Sequence, residues 1–174
     1  MRLFHVSDDP DIEVFEPRTP KRDDLDKNVP LVWAVSEEKM PILMTPRDCP
    51  RVVYNVGRNT SDADREKFFA SSKTQFVLVI EGGWLERMKT EVLTVYEFDT
   101  ADFVLQDELA GYYVAAKPQK PVAKFRVDDL LRWHTEHGVE VRLTDNLWDT
   151  GDAVRASTLE WHLCRMRNAL PRDE

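Results

Sequence analysis

The sequence predicts an α+β fold, a mainly antiparallel sheet with peripheral helices. Strand-like segments outnumber helical ones, and the two kinds seldom alternate as a βαβ chain would require. Most strand-like segments are rich in Val, Tyr and Phe and are bounded by Pro, Gly or Asp, which is how short strands read. At 174 residues, one domain spanning 1–174 is expected.

The first strand lies over 3–7 (LFHVS), an apolar run interrupted by His5. The second, over 31–35 (LVWAV), follows a polar stretch at 16–30 that holds Arg18 and the prolines Pro17, Pro20 and Pro30. Long connections in compact domains are often functional, and this one is placed to cover the histidine. A short helix at 36–44 is weakened by Pro41. Strands are expected at 51–56, 75–81, 92–98, 111–116 and 139–143. In 92–98, Thr94, Tyr96 and Phe98 alternate with Leu93, Val95 and Glu97, so both faces of that strand should be partly covered.

Residues 61–72 open with Ser61 or Asp62 as cap and place acids in the first turn, where the helix dipole favours them. Residues 127–137 set Leu130, Leu131 and His134 on one stripe and stop at Gly138, a left-handed C-terminal cap. A final helix over 152–169 is read from Val154, Leu159, Leu163 and Met166, with Asp152 as its cap. Before it, 144–152 reads as an ordered loop presenting Trp148. Gly82-Gly83 reads as a turn.

Composition narrows the function classes. The chain is 42% hydrophobic and 32% charged, ordinary for a folded globular protein. A net charge of −8 speaks against nucleic acid or an anionic membrane surface as partner, since both need clustered Lys and Arg. No segment reaches the ~20 apolar residues of a membrane-spanning helix, and the N-terminus turns acidic too soon for a signal peptide. The cytoplasm is the expected compartment, with Cys49 and Cys164 as reduced thiols.

Few residues stand out as carriers of chemistry. His5 either orients a ligand hydroxyl or is satisfied by a backbone carbonyl. Arg18, Arg47 and Arg51 sit beside prolines, where a stiffened guanidinium suits a phosphate or carboxylate, or pairs with the many acids of the chain. His134 and His137, spaced i, i+3, share a helix face, but no third ligand accompanies them; helix surface and capping is the alternative, and no metal is expected. Cys49 lacks a nearby histidine, and its flanking Asp48 offsets Arg47 and Arg51. No phosphate-binding loop, dinucleotide fingerprint or nucleophile elbow is present.

LFHVS, then FEPR, then VWAVSEE resembles the opening of an uncharacterised bacterial family with the ADP-ribosyltransferase-like fold. The ordered match spans most of residues 3–143. In such proteins a strand of the type LYHGS or LFHxS holds a histidine against the NAD ribose, and a strand of the type VYAT or VFAS leads into a helix. The resemblance implies a split, mainly antiparallel sheet and NAD, or a related small-molecule nucleotide, as ligand. It assigns His5 and Ser7 to the first motif, Trp33 or Ser36 to the nicotinamide side, and Arg18 or Arg47 to the pyrophosphate. It further implies cleavage of the nicotinamide–ribose bond with transfer of ADP-ribose to a small molecule, protein or water. Where active members carry a catalytic acid, this chain has Gly111-Tyr112, so Asp107 or Glu108 would have to serve. The alternative is a non-catalytic ligand-binding or protein-interaction module on the same scaffold. The oligomeric state is left open.

Overall fold

The structure, a computed structural model, describes residues 1–20, 25–70, 72–74 and 76–172. In chain order its elements are β1 (Leu3–Ser7), β2 (Val32–Ser36), β3 (Arg51–Asn55), α1 (Asp62–Phe69), β4 (Phe76–Glu81), α2 (Leu85–Thr90), β5 (Leu93–Phe98), β6 (Val104–Asp107), β7 (Tyr112–Ala115), β8 (Ala123–Val127), α3 (Leu130–Glu136), β9 (Val139–Thr144), α4 (Trp148–Arg155) and β10 (Glu160–Cys164). Short 3-10 helices cover Glu37–Ile42, Gly82–Trp84 and Met166–Asn168. Of the expected segments, 21–24 in the 16–30 stretch, Ser71 of the 61–72 helix and Gln75 of the 75–81 strand lie outside the described residues.

The class is α+β with mainly antiparallel sheets. The chain forms two compact units, one from Met1–Leu43 and Val92–Val127, the other from Met44–Glu91 and Asp128–Glu174. The first holds a six-stranded sheet in the order β6-β7-β2-β1-β5-β8, with every neighbour antiparallel. Register sorts its side chains. Leu3, His5 and Ser7 lie opposite Phe98, Tyr96 and Thr94, and Leu3 lies opposite Ser36, so all of these share one face. That face gathers the apolar cluster Leu3, Val32, Ala34, Tyr96, Phe98 and Ala115, closed by Phe15 and Phe103. β5 is buried on both faces, as its alternation implied.

In the second unit the sheet order is β10-β3-β4-β9, antiparallel except for the parallel pair β4–β9. Val52 and Tyr54 of β3 and Val77 and Val79 of β4 pack with Phe68 and Phe69 of α1 and with Leu147, Val154 and Leu159. Ser61 caps α1 by accepting the Asp64 N–H at 3.2 Å. Gly138, at φ +71°, ends the α3 turn as the sequence indicates. Among the described residues no helix is long and apolar enough to cross a membrane.

Two expectations fail in the C-terminal region. The helix expected over 152–169 begins at Trp148, inside the segment expected to be a loop, and stops at Arg155. Asn146 accepts the Trp148 N–H at 2.9 Å, which starts the helix one turn early, so Asp152 lies within it. After it, Ser157 Oγ donates to Val154 O, and Asp64 accepts both the N–H and the hydroxyl of Thr158. Those bonds turn the chain so that Glu160–Cys164 becomes β10, paired along β3. The apolar spacing Leu159–Leu163 fits a strand as well as a helix, and the open edge of β3 decides between them. The strands β6 and β8 escaped the sequence reading because they are sheet edges without a buried face: Val104 is 63% and Leu105 51% exposed.

Candidate functional site

The site with most chemical content lies on the first unit, where β1 and β2 part. Their ladder holds only Leu3↔Ser36 and Phe4↔Val35, whereas β1 pairs with β5 along its whole length. Past Phe4 the ladder stops, and the imidazole of His5 reaches across, its Nδ1 2.9 Å from Trp33 O. A carbonyl only accepts, so Nδ1 carries the proton and donates. Nε2 is then the unprotonated nitrogen, and it has no hydrogen-bond partner among the described residues. Burial lowers the imidazole pKa, the Trp33 carbonyl bond opposes this, and the nearby Arg18 guanidinium lowers it further. His5 is therefore held neutral, with an acceptor to offer.

The segment 8–20 lies over this face. Phe15 exchanges backbone bonds with Gln119 (2.8 and 3.0 Å) and sets its ring 4.7 Å from that of His5. The same ring meets Tyr96 and Phe98 edge-on at 5.1 and 5.0 Å. Tyr96 Oη donates to Asp9 O at 2.7 Å and accepts the Ile12 N–H at 3.2 Å, so one hydroxyl pins both ends of the short loop before Phe15. Arg18 is bridged through its backbone to Leu31 (3.0 and 2.9 Å); its exposed guanidinium has no carboxylate partner among the described residues.

The structure thus brings together His5, Ser7 and Arg18, with Ser36 on the same sheet face. Ser7 Oγ accepts the Asp9 N–H at 3.1 Å. Trp33 contributes its carbonyl, while its ring lies on the opposite face, edge-on to Tyr112 at 5.7 Å. Arg47 belongs to the second unit, where its N–H donates to Glu91. Asp107 pairs with Tyr112 in register, which sets it on the face opposite His5, and it accepts the Ala110 N–H at 3.1 Å. Glu108 is exposed in the turn that follows, its carbonyl accepting the Gly111 N–H.

The family of unknown function DUF6886 matches residues 4–169, nearly the whole chain. The chain belongs to that family. No curated protein and no solved structure matches it.

This DUF6886 member also shows why position 111 carries no acid. Gly111 has φ +64°, and a Cβ placed there would lie 2.5 Å from Ser36 Oγ and 2.7 Å from Lys39 Cγ. Any side chain pays for the left-handed backbone, about 1–2 kcal/mol, and then displaces Ser36 as well. Gly111→Ala should therefore lower the urea unfolding free energy by at least that amount; a change under ~0.5 kcal/mol would show that the turn relaxes freely.

Of the helix pair, His134 belongs to the second unit's interior and His137 is exposed. His134 is fully buried, not on a helix surface, with Nε2 2.6 Å from Met44 O; His137 Nδ1 lies 2.7 Å from Trp133 O. Among the described residues no group of three His, Cys, Asp or Glu has the geometry to hold a metal. Cys49 is buried, and that burial pushes its thiol up to about 12, so it does not behave as a nucleophile. Sequence reasoning missed Phe15 and Tyr96, which hold the cover over His5. The available signal was Phe15 itself, a large apolar side chain in an acidic, otherwise loop-like stretch.

Proposed function

We propose that this protein binds NAD or a related nucleotide beside His5, without transferring ADP-ribose. The observation that carries the reading is the Nδ1–Trp33 carbonyl bond, which fixes the tautomer and leaves Nε2 unprotonated, an acceptor suited to a sugar hydroxyl. Arg18, close enough to depress the His5 pKa and free of carboxylate partners among the described residues, supplies a guanidinium for the pyrophosphate. The order of LFHVS, FEPR and VWAVSEE supports the likeness to the ADP-ribosyltransferase-like fold.

Transfer would call for a carboxylate on the His5 face. Asp107 is turned to the other face and occupied by the turn it closes, and Gly111 has no room for an acid. These observations favour the binding module over the transferase.

The test is a thermal-shift titration with NAD on the native chain, His5→Ala and Arg18→Ala. NAD at 100 times its dissociation constant should stabilise the native chain by about 2.7 kcal/mol. His5→Ala should weaken binding at least ~10-fold, which is about 1.4 kcal/mol. No shift of the native melting point at millimolar NAD, or equal shifts in all three proteins, defeats the proposal. Release of nicotinamide by the native chain would restore the transferase reading.

A further inference from the structure

Residues 170–172 of the second unit lie across the carboxyl ends of the parallel strands β4 and β9, and what holds them there is mostly contact with main chain. Glu81, the last residue of β4 and only 4% exposed, accepts the Leu170 N–H at 2.9 Å. Trp148 Nε1 donates to Leu170 O at 2.8 Å, and Asn146 Nδ2 donates to Pro171 O at 2.9 Å. The Leu170 side chain itself is 53% exposed and unread.

One side chain of the segment is read closely. Arg172 makes a two-pronged contact with Asp152, at 2.7 and 3.1 Å, and its guanidinium carbon sits 4.5 Å from the centre of the Trp148 ring. Asp149 adds a second negative charge nearby. The planar fork of arginine satisfies carboxylate and ring together in a way that lysine does not.

We propose that the surface formed by Glu81, Asn146, Trp148 and Asp152 is a recognition site for extended basic peptides of the pattern any residue–Pro–Arg, and that the chain's own residues 170–172 occupy it as a built-in competitor. Main-chain bonds at the first two positions impose an extended backbone without choosing a side chain. Proline holds the second position in the chain itself, where only its carbonyl is taken, by Asn146. Selection rests on the third position, where Asp152 and Trp148 take the guanidinium. The net charge of −8 also suits a basic partner. A tethered segment acts at an effective concentration in the millimolar range, so the native chain hides the site from all but concentrated or multivalent partners. This site lies on the second unit and does not rest on the nucleotide reading.

The test uses the full chain with its tail disarmed, Leu170→Pro with Arg172→Ala, which removes the N–H taken by Glu81 and the arginine fork. The probe is an amidated Asn-Ala-Leu-Pro-Arg peptide, followed through the Trp148 indole N–H resonance, which Trp148→Phe identifies. The peptide should bind the disarmed chain at least ~10-fold more tightly than the native chain. Changing its arginine to glutamine, or adding Asp152→Asn to the protein, should cost a further ~10-fold. Arg172→Ala alone, which keeps the main-chain bonds, serves as host if the double variant does not fold. No shift of the Trp148 resonance at millimolar peptide in a folded host, or equal binding of the glutamine peptide, overturns the proposal.

Discussion

Phe15→Ala is expected to lower stability by about 3–5 kcal/mol, the range for removing a buried aromatic side chain. Phe15 is 8% exposed and, among the described residues, is the one ring that touches both His5 and the apolar cluster under it, through Tyr96 and Phe98. Its loss leaves a cavity between the sheet face and the segment above, and the two backbone bonds to Gln119 lose the packing that shields them. The effect also reaches the site. Burial is the largest cause of the depressed His5 pKa, so water entering in place of the ring should raise that pKa toward the ordinary histidine value. Urea unfolding and an NMR titration of His5 read the two effects separately. A loss below ~1 kcal/mol with an unmoved His5 titration would mean that Phe15 is not what covers the histidine.

The second large effect is a dependence of stability on pH set by His134. This imidazole is fully buried, and burial, assisted by the charges of Arg51 and His137 and opposed by the Met44 carbonyl bond, lowers its pKa to about 4. The unfolded chain has the ordinary value near 6.5. Between those values the unfolded state binds a proton that the folded state does not, so stability rises with pH across the window. The contribution is fully present above ~6.5 and is lost as pH falls through the folded pKa. At 1.36 kcal/mol per unit the loss is about 3 kcal/mol. His134→Gln retains an N–H for Met44 O and removes the titration. Its unfolding free energy should fall by about 3 kcal/mol less than that of the native chain between pH 7 and pH 4. Parallel pH profiles for the two proteins would assign the acid sensitivity elsewhere.

Seven of the ten strands among the described residues were legible from short runs of β-branched and aromatic residues, because a strand with a buried face must show that face in its sequence. The helix over Asp62–Phe69 declared itself through Ser61, and the end of the helix over Leu130–Glu136 through Gly138. His5 stood out because it interrupts an apolar strand. What these residues share is a signal carried by near neighbours in the chain.

Other features depend on residues far apart in sequence, and only the tertiary structure decided them. The edge strands Val104–Asp107 and Ala123–Val127 bury no face of their own, so nothing in their composition distinguishes them from loops. Glu160–Cys164 has a spacing that suits helix or strand; the unpaired edge of Arg51–Asn55 and the bonds from Asp64 to Thr158 made it a strand. The tautomer of His5 follows from the carbonyl of Trp33, 28 residues away, and its cover from Phe15 held by Gln119. The face on which Asp107 lies follows from its register with Tyr112. Local composition marked most of the elements that bury a face. Pairing, register and burial determined which side chains could act together, because these are set by the partner strand and not by the residue itself.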